Sequence, residues 1–264
     1  MSVLIGSHVD EKDPIGEAAA RGAEIVQISL GDPQSWKGPF LDYEGGPRAL
    51  RRAAADAGLT LVVHAPFVIN VASTNNRIRV PSRRLLQKHV DMAAELGAIG
   101  VVVHGGHVTA KDDPEAGRAN WAKAVDGLDA EVPVLIENTA GGRHAMARSL
   151  EAIDRLWTAL GGVDSAGKFG LCLDTCHAHG AGLGLDGLVD RVRAITGRID
   201  LVHANDSRDE AGTGADRHAN LGQGRADAGA IARIVAAAGA PTVVETPGGA
   251  QGQGADIAWL RERI

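Results

Sequence analysis

The feature that most restricts the fold of this chain is a recurrence of eight short apolar runs, each followed by a stretch with helical periodicity. The runs fall at residues 3–5, 24–30, 60–64, 100–104, 133–137, 170–174, 199–203 and 241–245. Several are unbroken series of valine, isoleucine and leucine, as expected of parallel strands covered on both faces. Between them, Leu86, Val90 and Ala93, and again Leu150, Ile153, Trp157 and Leu160, follow helical spacing. Asp113-Pro114 reads as an N-cap followed by proline at the first helical position. Ala57-Gly58, Leu96-Gly97 and Ala238-Gly239 put glycine where helices should stop. This alternation predicts an α/β protein, a single (β/α)8 TIM barrel over residues 1–264, with a loop at 247–254 and a last helix at 256–263. A doubly wound open sheet fits less well. It would want fewer strands and a glycine-rich phosphate turn after the first, where this chain has Gly6-Ser7-His8-Val9.

What ends each run matters for chemistry. The third ends at His64, the fourth at His104, the fifth at Glu137, the sixth at Asp174 with His177 three residues on, the seventh at His203 and the eighth at Glu245. In a barrel these positions share the face that holds active sites. Any one of them alone is more often a hydrogen-bonded structural residue. Six together, each behind apolar positions, would waste burial energy unless something neutralised them, and metal ions would do so. A further pair, Asp216 and His218, is spaced so that an extended segment turns both side chains to one side. Imidazole nitrogen and carboxylate oxygen suit zinc and neighbouring divalent metals.

Composition sets limits. A net charge of −6 provides no basic surplus of the kind that marks most nucleic-acid binders. Cys172 and Cys176 lie four apart on one short segment, so no stabilising disulfide is expected and both read as free buried thiols. No stretch is long and apolar enough to span a membrane, and Met1 leads almost at once into the first apolar run, so a cytoplasmic protein is expected.

Several segments then resemble endonuclease IV, the type-2 apurinic/apyrimidinic endonuclease family of base-excision repair. They are His64-Ala65-Pro66-Phe67-Val68-Ile69-Asn70, Ile136-Glu137-Asn138-Thr139-Ala140-Gly141, Leu173-Asp174-Thr175-Cys176-His177, His203-Ala204-Asn205-Asp206-Ser207, Asp216-Arg217-His218, Leu221-Gly222-Gln223-Gly224 and Glu245-Thr246-Pro247. The resemblance implies a barrel with three zinc ions, manganese being an alternative at one of them. It implies that His64, His104 and Glu137 hold the first ion and that Glu137 bridges to a second completed by Asp174, His203 and Glu245. His177, Asp216 and His218 would hold the third. Three divalent ions would cancel the chain's negative charge and leave a pocket suited to phosphate. The implied reaction is hydrolysis of the phosphodiester 5′ to an abasic site in double-stranded DNA, leaving a 3′-hydroxyl and a 5′-deoxyribose phosphate, together with trimming of blocked 3′ ends. Glu245 would orient or deprotonate the attacking water, with Glu137 as the second catalytic carboxylate. The protein would act as a monomer.

DNA contacts implied by the same motifs are Asn70 and Arg217 on the backbone, with Phe67 and Val68 as bulky groups that fill the duplex where a nucleotide is flipped out. Arg77, Arg79, Arg83, Arg84 and Lys88 form a basic cluster after the third run, which reads equally as a DNA contact or a solvated helix end. Some positions depart from the family pattern. Phe67 stands where tyrosine is frequent, and Gln34 in the implied DNA-penetrating loop stands where arginine is common. Arg143 replaces a small or amide residue, and Arg225-Ala226-Asp227 replaces a glycine-rich tail. His8 and His107 are expected near the pocket as supporting donors, and Trp36 reads as a loop anchor or a DNA contact. The rival enzyme is a sugar isomerase or epimerase of the related xylose-isomerase-like barrels. Glu137, Asp174, His203 and Glu245 would serve it equally, but it has no evident need of the other five. A non-catalytic lesion-binding protein with structural zinc would be expected to use cysteine ligands.

Overall fold

The computed structural model describes residues 3–161 and 167–264. In chain order the elements are β1 (Ile5–Val9), α1 (Pro14–Arg21), β2 (Ile25–Ser29), α2 (Gly46–Asp56), β3 (Thr60–His64), α3 (Asn76–Leu96), β4 (Val101–His104), α4 (Pro114–Asp126) and β5 (Val134–Glu137). There follow α5 (Leu150–Gly161), β6 (Phe169–Asp174), α6 (Thr175–Gly180), α7 (Leu188–Thr196), β7 (Leu201–His203), β8 (Asp206–Ser207), β9 (His218–Ala219), α8 (Ala228–Ala238), β10 (Thr242–Val244) and α9 (Gly249–Arg261). Strands β1 to β7 pair in sequence and β10 closes the ring between β7 and β1, every pairing parallel. The expected closed barrel is what forms. The short β8 and β9 make a separate antiparallel ladder at its mouth.

Strand periodicity divides the apolar side chains between two places. Ile25, Val62, Val102, Leu135, Cys172, Leu201 and Val243 form one layer, packed together within the ring. Their neighbours turn outward, Val63, Val101, Val103, Val134 and Ile136 into one helix-facing cluster and Leu171, Leu173, Val202 and Val244 into another. Asp113 caps α4 as expected by accepting from Glu115 N, and Gly97 and Gly239 end α3 and α8 in the left-handed region.

Most strand ends shift by one or two residues, the seventh run beginning at Leu201 and the eighth ending at Val244, and two of the shifts have a plain physical reason. The first strand begins two residues later than residue 3 and runs on to Val9, because Gly6, Ser7 and His8 keep pairing with β10 and β2 although they are not apolar. The last helix begins at Gly249, inside the stretch expected to be a loop. Glycine's poor helix propensity is overridden there by packing: Gln253 is buried, accepts from Arg21 Nε at 2.6 Å and donates to Thr246 O at 3.0 Å. The same reach back to α1 closes the ring of helices.

Candidate metal centre

The site is built by the same two-residue repeat. Two positions beyond the interior layer stand Gln27, His64, His104, Glu137, Asp174, His203 and Glu245, all turned to the barrel axis at its carboxyl end. His177 joins them through α6, whose start is capped by Asp174: Oδ1 accepts from His177 N at 2.6 Å. Asp216 and His218 arrive on a loop held by the β8–β9 ladder, in which Ser207 pairs with His218. That loop rests on bare backbone. A Cβ at Gly180 would stand 2.6 Å from Ala215 O, and one at Gly141 2.7 Å from Gly214 O.

All nine acid and imidazole side chains singled out from the sequence meet here. Glu137 is the hub. Its Oε2 is 3.4 Å from His64 Nε2 and 3.3 Å from His104 Nε2, and its Oε1 is 3.1 Å from His177 Nδ1 and 3.2 Å from His203 Nδ1. His203 Nδ1 also lies 3.3 Å from Glu245 Oε2. Asp216 joins His177 Nε2 at 3.1 Å to His218 Nε2 at 3.2 Å. Among the described residues, His64-His104-Glu137 and Glu137-Asp174-His203-Glu245 each bring one donor atom within 4.8 Å of all the others, as does Asp174-His177-His218. Asp174 thus sits closer to His177 and His218 than the motif alone implies. Cys172 and Cys176 are free and buried, and burial pushes both thiols up to about 12, so neither is an available thiolate.

The donor set suits metal ions. His64 Nδ1–H donates to Ala65 O at 2.8 Å and His177 Nδ1–H to Asn138 O at 2.8 Å, while His218 Nδ1–H points to Glu245 O at 3.3 Å. Each such bond turns an Nε2 lone pair inward. His218 Nε2 is buried and, despite its nearness to Asp216, lacks an aligned hydrogen bond. Electrostatics agree. Burial would neutralise Glu137, but the imidazoles of His104, His203 and His177 hold its carboxyl well below the usual range. Burial opposes charge on His177 and His203 too, yet the surrounding carboxylates, Asp174 and Glu137 for His177 and Glu245 and Glu137 for His203, raise both well above an ordinary histidine. The acidic surroundings favour positive charge at these nitrogens, which are the places cations could take. The resulting cavity of about 280 Å³ is lined by His8, Phe67 and Gln253 as well as by the acidic and imidazole groups.

The residues expected to touch DNA are dispersed around this mouth. Phe67 is 57% exposed and its ring stacks on His104 with centroids 5.5 Å apart, so it forms a wall of the cavity. Val68 is half-buried and packs on the apolar cluster instead of projecting. Asn70 spends its amide on His107, donating to the carbonyl at 2.9 Å and accepting from N–H at 3.1 Å. Arg217 is paired with Asp209. Gln34 and Arg77 are exposed, the latter at the start of α3. The basic cluster does not stay together. Arg79 is bound to Ser73 and Thr74 carbonyls and Arg83 to Asn120 O, while Arg84 and Lys88 lie about 10 and 16 Å beyond Arg77 along the helix axis at 1.5 Å per residue.

Three supporting residues have no assigned role in the sequence reading. Asn205 donates to Asp174 Oδ2 at 2.8 Å and accepts from Glu245 N at 2.8 Å. Asp206 is fully buried and organises the loop after β9. Gln27 is fully buried among the metal-competent groups. A polar amide inside the apolar run Ile25-Val26-Gln27-Ile28 was the available signal for it.

Residues 15–263 match the family model described as a xylose isomerase-like TIM barrel. A curated relative from Mycobacterium tuberculosis, a probable endonuclease 4, is 54% identical over 261 residues, 99% of each chain. The crystal structure of endonuclease IV from Thermus thermophilus is similar with a TM-score of 0.83 at 27% identity, over 98% of each chain. A D-tagatose 3-epimerase-like protein has a TM-score of 0.78 at 18% identity, covering 99% of this chain and 97% of its own. That last likeness concerns the barrel alone.

Proposed function

Because this chain belongs to the xylose isomerase-like TIM barrel family, and within it to the endonuclease IV group, we propose that it is a DNA repair endonuclease. It hydrolyses the phosphodiester 5′ to an abasic site in double-stranded DNA, leaving a 3′-hydroxyl and a 5′-deoxyribose phosphate, and it removes blocking groups from 3′ ends. The whole of residues 1–264 acts as one domain and as a monomer. The observation that carries this reading is the convergence of nine imidazole and carboxylate groups, with the buried His218 Nε2 left without an aligned partner. His64, His104 and Glu137 would hold one zinc, Glu137, Asp174, His203 and Glu245 a second, and His177, Asp216 and His218 a third, with manganese an alternative at one position. Such ions supply Lewis-acid stabilisation of phosphate charge and lower the pKa of water.

The chain's own groups do the rest. Glu245 is half-buried at the cavity edge, and the nearby imidazoles, His203 first, hold its carboxyl below the ordinary range against burial. Gln27 and Asn205 hydrogen-bond its two oxygens, and as a carboxylate held in this way it would orient a water and accept its proton. Glu137 at the floor keeps several cationic partners close together. Phe67 provides an apolar face against which a flipped, baseless sugar can lie, and the low cost of extruding a nucleotide without a base favours that substrate. A sugar epimerase would need only the Glu137, Asp174, His203 and Glu245 group; His64 and His104, and His177 with Asp216 and His218, favour the nuclease.

The test is metal content per chain measured beside cleavage of a duplex carrying one abasic analogue. About three zinc per chain and a single cut 5′ to the analogue are expected. Full metal loading with turnover of ketoses and none of DNA would overturn the reading.

A further inference from the structure

One member of the inward ring is neither acid nor imidazole. Gln27 is fully buried, and its amide makes three contacts: Nε2 to Glu245 Oε1 at 2.6 Å, Nε2 to His8 Nδ1 at 3.0 Å, and Oε1 to His203 Nε2 at 2.8 Å. These contacts settle one another. A carboxylate only accepts, so the amide nitrogen must face Glu245; the reversed amide would set two oxygens against each other. The amide oxygen therefore faces His203, and His203 must carry a proton on Nε2 to meet it. His203 Nδ1 is then the nitrogen that faces Glu137 and Glu245, at 3.2 and 3.3 Å, and the one whose lone pair a cation between them would take. His64, His177 and His218 are oriented by backbone carbonyls, which no side-chain substitution removes. His203 depends on a side chain.

We propose that Gln27 is a positioning residue of the metal centre: one amide places the His203 proton on Nε2, so that Nδ1 serves as the ligand atom, and holds Glu245 in its working orientation. This rests on the zinc-endonuclease reading above. It adds a residue from β2, beside His8 of β1 in the barrel register, to a site otherwise drawn from the later strands.

Two variants separate the two halves of the role. Gln27→Met fills similar space without hydrogen bonds. Gln27→Glu keeps an acceptor for His203 but sets a like charge against Glu245. On the zinc-loaded protein, nitrogen-15 NMR of the imidazoles reports the His203 Nε2–H, and chelator competition reports zinc affinity; neither requires DNA cleavage. A slowly exchanging Nε2–H is expected in the wild type and in Gln27→Glu and is expected to be lost in Gln27→Met. Zinc affinity in Gln27→Met should fall about tenfold to a hundredfold at one site. Both variants should lower kcat more than they raise KM on abasic duplex. An unchanged proton signal and unchanged zinc affinity in Gln27→Met would overturn the proposal, as would loss of the signal in Gln27→Glu. If Gln27→Met does not fold, Gln27→Asn, which keeps the amide but falls short by one methylene, should show the same loss of signal and affinity, and unchanged values there count against the role. A wild type that binds zinc but leaves abasic DNA intact would sink the endonuclease reading alone, and the first two readouts would still decide the role of Gln27. A wild type that binds no zinc would overturn both.

Discussion

Asp206 is fully buried and works entirely through backbone. Its Oδ1 accepts from Ser207 N and Ala226 N at 2.7 and 2.9 Å, and its Oδ2 from Gly222 N and Gly224 N, both at 3.0 Å. Replacing the carboxylate by an amide turns one acceptor into a donor facing N–H groups. Asp206→Asn should therefore cost about 3 kcal/mol, read from urea unfolding of the zinc-loaded protein; a loss below about 0.5 kcal/mol would mean the loop is held by something else. Titration at the centre supports a second expectation. The raised imidazoles of His64, His177 and His203, and of His218 at about 9, contribute stability that is complete below about pH 6.5 and lost as pH rises through the folded values. Burial raises Asp174 too, which also weakens the fold as pH rises. The lowered carboxyls of Glu137, Asp216 and Glu245 contribute above about pH 4.5 and lose that contribution as pH falls. Metal-free protein should thus melt highest between about pH 4.5 and 6.5 and lose stability towards pH 9. Zinc must displace those protons, so titration calorimetry near pH 7 in buffers of different ionisation enthalpy should show proton release. Heats that do not vary with buffer would contradict this account.

Among the elements, the β8–β9 ladder with its 208–217 loop is the most dependent on its neighbours. Gly141 and Gly180 let that loop approach so closely that a methyl group at either would stand 2.7 or 2.6 Å from a loop carbonyl oxygen. Gly180→Ala should push Ala215 and Asp216 outward and lower bound zinc by about one ion per chain, with barrel stability little changed. Metal analysis beside a thermal melt separates the outcomes, and full metal content would show the loop adjusts without loss. The elements also differ in how plainly the sequence announces them. β3 and β4 end at His64 and His104 as their apolar runs foretell, because side chains covered on both faces must be continuous valine and leucine. The ends of β1 and the start of α9 do not follow their local chemistry. Ser7 and His8 pair because β2 and β10 flank them, and Gly249 is helical because Gln253 finds Arg21 on the neighbouring helix α1, at the other end of the chain.

For the whole molecule, charge is the open lever. The chain carries −6, and Gln34 lies exposed in the loop tied to the cavity wall through Phe67 N–H to Pro33 O at 2.8 Å. Gln34→Arg should tighten binding to abasic duplex and steepen the dependence of log K on log salt by about 0.9 if it meets one phosphate. An unaltered slope in fluorescence anisotropy titrations would place Gln34 off the DNA. The barrel and six of its nine convergent groups could be read from the chain because both obey local rules: period-two burial sets which side chains turn inward, and the last position of each run marks the carboxyl end. His177, Asp216 and His218 lie off the barrel strands and were legible only through the motifs that carry the family resemblance. The partners of those groups could not be read in that way. Gln27 lies 176 positions from His203 and 218 from Glu245, and Asn205 lies 31 from Asp174. Only closure of the ring brings them within hydrogen-bond reach, since a proton's place on an imidazole is set by whatever touches its far nitrogen. The same closure splits the basic cluster, leaving Arg77 at the start of α3 and turning Arg79 and Arg83 onto backbone carbonyls. Local pattern chose which residues face the axis; tertiary contact chose what each of them holds.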